Sequence, residues 1–268
     1  MTARSRRLGR DDLVLSHFSL GRSVAFDERV DAAAAAGFEG IGWYVADYVE
    51  HLGRGWTDER ITQLLADSDL VLHEVDALPL DRLGLLDAAV HMVEVFGACN
   101  LQVQGNRPGS IAEAAATIAE IADRVAPFDA NVAIEFIGSN NIATAADALD
   151  LALLSERTNV GVQADIWHHV RGANDWSMLE ALPIERVVSV QLDDGPIVPV
   201  EDDYLVDTVH HRCVPDEGEF DIARFLAIVH PASSTLPISL EVIDDDMLSL
   251  VPREAARLIA RSMRGGQR

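Results

Sequence analysis

The chain contains no lysine: all 21 of its basic residues are arginine. No side chain carries a primary amine, which excludes Schiff-base chemistry of the lysine-aldolase or pyridoxal-phosphate kind. Thiols are nearly as scarce. Cys99 and Cys213 are far apart and belong to no paired motif, which argues against a disulfide scaffold or a thiolate metal site and fits a reducing, cytoplasmic setting. Positive charge is short overall, with 44 acidic residues giving a formal charge of -23. Such a field repels phosphate backbones and anionic lipid surfaces, so neither nucleic acid nor a membrane is expected as a partner. No apolar run is long enough to span a bilayer. Neither a GxGxxG turn nor a phosphate loop is present, which leaves nucleotide binding without support. The basic clusters sit at the ends: residues 1–10 read as a flexible tail without the apolar core of a secretory signal, and residues 265–268 as a second tail.

What is present is a regular alternation. At 268 residues and 49% apolar, the chain can bury a large core. Strand-like runs fall at "LVLSHF" (13–18), "GIGWY" (40–44), "LVLHEV" (70–75), "NLQVQG" (100–105), "NVAIEF" (131–136), "NVGVQAD" (159–165), "RVVSVQL" (186–192) and "LPISLEV" (236–242). Helical periodicity follows each of them. Gly37 and Gly97 stand where left-handed helix stops are wanted, and Thr57 and Ser110 where N-caps are wanted. Eight strand–helix units with no linker between them predict a single (β/α)8 barrel over residues 11–264, in preference to an open doubly wound sheet.

Four late strands share a phase. Alternation sets Val132, Ile134 and Phe136 apart from Ala133 and Glu135, and Val160, Val162 and Ala164 apart from Gly161, Gln163 and Asp165. It likewise separates Val188, Val190 and Leu192 from Ser189 and Gln191, and Ile238, Leu240 and Val242 from Ser239 and Glu241. Branched residues pack on the outer helices and the other row points into the barrel. Each inward row ends in an oxygen-bearing side chain at the C-terminal end of its strand, where barrel active sites are built. Three carboxylates and an amide converging there would repel one another without a positive charge between them. Oxygen donors favour Mg²⁺, Mn²⁺ or a similar divalent ion, with Co²⁺ also compatible. His168, three residues after Asp165, faces the same mouth if the chain turns helically; His169 reads as a rim residue. His17, His73 and Glu74 lie near strand ends and are candidates for the same mouth, and Trp43 and Trp167 are either packing or aromatic walls for a sugar-like ligand.

The order "AIEF", "QADIWHH", "SVQLDDG", "HHRCVPDEGEFD" and "ISLEV", with "AFDERVDAAAAAGFEGIGWY" upstream, resembles the xylose isomerase-like TIM-barrel superfamily of sugar phosphate isomerases and epimerases. The resemblance implies metal ligands at Glu135, Asp165, Gln191 and Glu241, catalytic roles for Glu135, Glu241 and His168, and a substrate contact for Arg212. In the loop after it, Asp216 stands where relatives have the first glycine of a PGxGxxD turn. Gln191 replaces a histidine ligand typical of the sugar epimerases, and with the "HHRC" and "SLEV" context it is similar to bacterial 3-dehydroshikimate dehydratases. The arginine expected after the third strand for a substrate carboxylate is missing; "LHEVDALPL" offers Glu74 and Asp76, which suits a neutral polyhydroxy carbonyl substrate.

These residues lead to the expectation of proton abstraction next to the carbonyl of a keto sugar or cyclitol, giving isomerisation or epimerisation. The alternative is a dehydratase of the dehydroshikimate or keto-inositol type, with His168 as proton donor. Lesser alternatives are a non-catalytic subunit on the same fold and a DNA-repair endonuclease, the latter opposed by the net charge. The acidic stretch 193–207 reads as a lid, a subunit contact or a solvated loop. Dimers and tetramers are common in this superfamily, so the resemblance allows a homo-oligomer.

Overall fold

A computed structural model describes residues 6–264. Eight parallel strands close into a barrel in sequence order: β1 (Leu13–Leu15), β2 (Gly40–Tyr44), β3 (Val71–Pro79), β4 (Asn100–Gln104), β5 (Asn131–Glu135), β6 (Val160–Asp165), β7 (Val187–Leu192) and β8 (Ile238–Leu240). This is the (β/α)8 barrel that the alternation predicts. Among the described residues no helix is long and apolar enough to cross a membrane.

The helices form where the sequence caps them. Ser110 and Glu113 make a reciprocal capping box at the start of Ile111–Val125, and Thr144 and Asp147 make another before Ala145–Leu154, each satisfying two otherwise free amides. Gly37 and Gly97 close their helices in the left-handed conformation, at φ 83° and 70°. Four helices are additions to the simple pattern: Val45–Gly53 follows β2 directly, Ile166–Arg171 follows β6 directly, Tyr204–His210 begins within the acidic stretch, and Asp245–Ser249 precedes the last helix.

Parallel pairing puts Gln102, Ala133 and Gly161 in register, then Glu135, Gln163 and Ser189, then Asp165, Gln191 and Ser239. In-register residues face the same side of the sheet, so the barrel interior is largely polar. Val132, Ile134, Val160 and Val162 lie on the other side, fully buried against the helices. At Gly161 a Cβ would fall 2.4 Å from the Arg186 carbonyl oxygen and 2.6 Å from Val188 Cγ1, so β6 and β7 approach only because no side chain intervenes.

Of the basic segment 1–10, residues 1–5 lie outside the described residues, as does 265–268. Within the remainder Leu8 is buried, Arg7 donates to Asp129, and Arg10 donates to the Pro231 carbonyl.

Gly161→Ala is expected to lower stability by about 1–3 kcal/mol, the usual cost of overpacking a filled interior. Urea unfolding followed by circular dichroism measures it; an unchanged midpoint would mean that the β6–β7 spacing is loose.

Candidate active site

The late strands deliver their terminal side chains to one point. Glu135 ends β5, Asp165 ends β6, Gln191 is the penultimate residue of β7, and Glu241 follows β8 directly. Gln163 ties three of the four strands together: its amide nitrogen donates to Glu135 Oε1 at 3.0 Å and to Gln191 Oε1 at 2.7 Å. Ser16, just beyond β1, donates to Glu241 Oε1 at 2.7 Å. Asp165 divides its oxygens. Oδ1 caps the short helix Ile166–Arg171 by accepting from the amides of Trp167 (2.7 Å) and His168 (3.3 Å), which leaves Oδ2 facing the mouth. That helical turn brings His168 Nε2 to 3.8 Å from both Glu135 Oε1 and Asp165 Oδ2, as the three-residue spacing predicts.

Arg212 is the positive charge at the cluster. Its Nη1 lies 2.6 Å from Asp193 Oδ2, 3.1 Å from Glu241 Oε2 and 3.4 Å from Asp165 Oδ2. Trp167 lies against the guanidinium, 5.3 Å from ring centroid to Cζ. Burial opposes the charge on Arg212, but the carboxylates of Asp193, Asp165 and Glu241 override it and hold the group more firmly protonated than usual. One guanidinium does not balance the acids. Burial, then repulsion from Glu241 and Asp165, pushes Glu135 well above the carboxylate range. Burial also raises Glu241 despite Arg212, and raises Asp193 well above its ordinary value. His168 is pushed the other way, down to about 4, because burial penalises its cation.

This donor set fits a divalent metal ion. Ligand atoms of Glu135, Asp165 and His168 lie within 4.8 Å of one another. One end of the Gln191 side-chain amide lies 2.7 Å from the Gln163 amide nitrogen, 3.2 Å from Glu135 Oε1 and 3.3 Å from Asp165 Oδ2. With the oxygen at that end it faces two carboxylate oxygens, an arrangement a cation stabilises and its absence does not.

Other sequence candidates are placed differently. Trp43 does not line the mouth: Gly42 is the inward residue of β2, and Trp43 points outward, stacked on Phe26 at 3.8 Å between ring centroids and fully buried against the helices. Trp167 is a floor beneath Arg212 rather than an open wall; it is fully buried and donates to Thr208 at 3.0 Å. Glu74 is inside the barrel, closed over by Ser239, whose hydroxyl donates to it at 2.6 Å, and burial raises it to about 7. Asp76, two residues on, accepts from the His17 amide, and burial followed by repulsion from Glu74 and Glu241 raises it well above normal. His73 falls where the β2–β3 register shifts, and the charges that act on it are those of Arg7 and Asp12 near the chain start rather than those of the cluster. His169 is buried edge-on to Trp176, with ring centroids 4.5 Å apart, rather than on the rim. His17 pairs with Asp47 at 2.9 Å.

Asp193 and Tyr204 were not among the sequence candidates. The signal for Asp193 was its place two residues after Gln191, in the same phase. Tyr204 had a weaker one, the acid Asp203 before it, which caps the helix Tyr204–His210. The acidic stretch is folded over the site: Arg171 and Asp207 form a buried ion pair at 2.7 Å, and Asp207 Oδ1 accepts from the amides of Val200 and Glu201. Asp194 gathers the following loop, accepting from the amides of Asp216, Gly218 and Phe220. Asp216 takes φ 73°, a conformation glycine favours and aspartate tolerates.

The description "Xylose isomerase-like TIM barrel" matches residues 30–264, and the chain belongs to that family. Over 238 residues it is 27% identical to a 3-dehydroshikimate dehydratase of Pseudomonas aeruginosa, covering 83% of this chain but only 37% of that protein. Over 146 residues it is 25% identical to an inosose isomerase of Bacillus velezensis, covering 53% of this chain and 50% of that one. The chain thus spans half or less of the length of these curated relatives. A crystal structure of an IolI protein with a bound zinc atom superposes with a TM-score of 0.82 at 15% identity, covering 94% of this chain and 96% of that one, a likeness of fold.

Because burial makes Glu135 and Glu241 bind protons more tightly than ordinary carboxylates and a metal must displace them, affinity for Mg²⁺ or Mn²⁺ is expected to go on rising with pH above the ordinary carboxylate range. At a hundred times its dissociation constant either ion should stabilise the fold by about 2.7 kcal/mol. Thermal unfolding with and without metal reads this. Asp165→Asn keeps the helix cap and should remove the gain; a gain that survives would place the ion elsewhere.

Proposed function

We propose that the chain is a divalent-metal-dependent enzyme that abstracts a proton next to the carbonyl of a neutral polyhydroxy ketone, a keto sugar or cyclitol, and returns it to give an isomer or epimer. The observation that carries this reading is the buried set Glu135, Asp165, Gln191 and Glu241 at one end of the barrel, with Glu135 and Glu241 held above the ordinary carboxylate range by burial. Glu135, Asp165, Gln191 and Glu241 would hold the ion, with Mg²⁺ or Mn²⁺ favoured by their oxygen donors. The chemistry such an ion supplies when bound is polarisation of a carbonyl and stabilisation of adjacent enediolate charge.

The chain's own groups account for the proton. Glu135 and Glu241 come from strands separated around the barrel and flank the centre, so one can take a proton from carbon and the other return one. A carboxyl whose proton affinity burial has raised suits both tasks at neutral pH. Burial keeps His168 neutral, which makes it a hydrogen-bond donor or acceptor to a substrate oxygen rather than a cationic acid. Glu74 and Asp76 lie deeper in the barrel on the β3 side, where they add acid rather than a cation for a substrate carboxylate.

A second reading has its own support. The 27% identity to a 3-dehydroshikimate dehydratase, together with the glutamine on β7, favours elimination: the same proton abstraction, followed by loss of a β-hydroxyl as water when a protonated carboxyl donates to it. Proton abstraction next to a carbonyl is common to both readings.

Incubation with keto sugars, keto-cyclitols and 3-dehydroshikimate in D₂O with Mg²⁺ or Mn²⁺, followed by NMR, tests them. Deuterium at the carbon beside the carbonyl is the expected result, and Glu135→Gln should slow its entry by about 10²–10⁴-fold, the range for a lost general base. Loss of water in place of simple exchange selects the dehydratase. Absence of both exchange and loss of water with every one of these ketones would sink both readings.

A further inference from the structure

Beyond Asp193, the acidic stretch 193–207 brings Tyr204 to the site, and it does so with a built seat. Tyr204 opens the helix Tyr204–His210, which Asp203 caps by accepting from the amides of Leu205 and Val206 at 2.9 and 3.0 Å. Its ring lies nearly parallel to that of His168, with 16° between the planes. Its hydroxyl oxygen is 2.7 Å from His168 Nδ1 and accepts from the Gly138 amide at 3.2 Å. Gly138 leaves the room: a Cβ there would stand 3.0 Å from Tyr204 Cε2 and 2.9 Å from Gly172 Cα.

A histidine's tautomer is set by the partners of its two nitrogens. With the Gly138 amide filling one lone pair of the tyrosine oxygen, the phenolic hydrogen has His168 Nδ1 as its acceptor. On the opposite edge Nε2 faces Glu135 Oε1 and Asp165 Oδ2, both at 3.8 Å, and two carboxylate oxygens favour a hydrogen on the nitrogen between them. Both edges give the same answer. We propose that Tyr204 is a positioning residue that fixes the His168 imidazole as an Nε2–H hydrogen-bond donor, aimed at an oxygen of the substrate, and that the stretch 193–207 supplies it at this site. The role toward substrate rests on the enolisation reading above; the tautomer does not. His168 is then not a metal ligand, because its ligating lone pair carries hydrogen, and the ligand set is the four oxygen donors.

A neutral imidazole donor strengthens its bond as negative charge builds on a carbonyl oxygen, so it assists enolisation without giving up a proton. Tyr204→Phe keeps the ring and loses the hydrogen bond. Gly138→Ala leaves Tyr204 intact but displaces it from its seat.

Long-range ¹H–¹⁵N correlation spectra of histidine-labelled protein read the tautomer directly, with His168→Gln assigning the signals. The expected spectrum shows His168 protonated on Nε2 and bare on Nδ1, both without metal and with Mg²⁺. Tyr204→Phe and Gly138→Ala should each shift His168 toward a tautomer mixture while the other eight histidines hold their positions. A proton on Nδ1 in the unsubstituted protein, an unmoved His168 in Tyr204→Phe, or loss of the Nε2 proton on adding Mg²⁺ would each overturn the assignment. With a ketone that exchanges, Tyr204→Phe should cut kcat about tenfold at nearly constant KM, less than the 10²–10³ typical of removing an oxyanion donor outright. An unchanged kcat would overturn the substrate role and leave the tautomer standing. If no ketone exchanges or loses water, the function reading fails while the spectra still decide the tautomer.

Discussion

The constraint on which the mouth of this barrel depends is an excess of buried negative charge. Glu135, Asp165, Asp193 and Glu241 come from four strand ends, and Arg212 is the guanidinium set among them. An isolated buried carboxylate is costly, and removing one partner of such a network leaves the rest uncompensated. The surrounding structure is organised accordingly. Trp167 lies beneath Arg212, the Thr208 carbonyl accepts from its Nε, and the backbone of Glu241 accepts from Nη1. A planar fork that stays protonated can answer several oxygens at once, and in a chain without lysine it is the one permanent cation available.

The same charge explains the unusual lining of the barrel. Branched apolar layers fill most barrels of this type; here Asn100, Gln102, Gln163, Ser189 and Ser239 occupy buried positions on the strands. Each can donate to an acid, and two do: Ser239 to Glu74 and Gln163 to Glu135. The polar interior extends the donor network from the mouth downward. Apolar burial is consequently displaced to the space between barrel and helices, where Trp43, Phe26, Tyr48 and Phe96 pack ring against ring.

The parts of this arrangement that strict alternation governs were readable from the chain alone. Glu135, Asp165, Gln191 and Glu241 share a phase because a two-residue repeat puts every second side chain inward. Gly42 carries the same information for β2: the glycine marks the crowded inward face and sends Trp43 out. His73 escaped the rule because a bulge between β2 and β3 breaks the repeat just there, and no local residue announces it. Trp167 escaped it because the strand has ended and a helical turn sets its direction. The acidic stretch was hardest to read, since "EDDYLVD" has the composition of a solvated loop; what folds it is tertiary, the Arg171–Asp207 pair and the seat at Gly138.

That division between legible and hidden residues follows the division of labour in the site. On the proposed reading, strand ends set by the barrel supply the groups an enolising reaction needs, namely acids to hold a cation and move a proton. Loops decide what happens next, because they choose which oxygen of the substrate receives a hydrogen bond and which hydroxyl is placed to leave. On the same reading that choice would fall to His168, on the turn after β6, and to the folded stretch that carries Tyr204 across to it. Isomerisation and dehydration begin from the same proton abstraction, so two enzymes can share all four strand-end ligands and differ in outcome. Their difference is to be sought in the segment 193–207 and its partners rather than in the barrel.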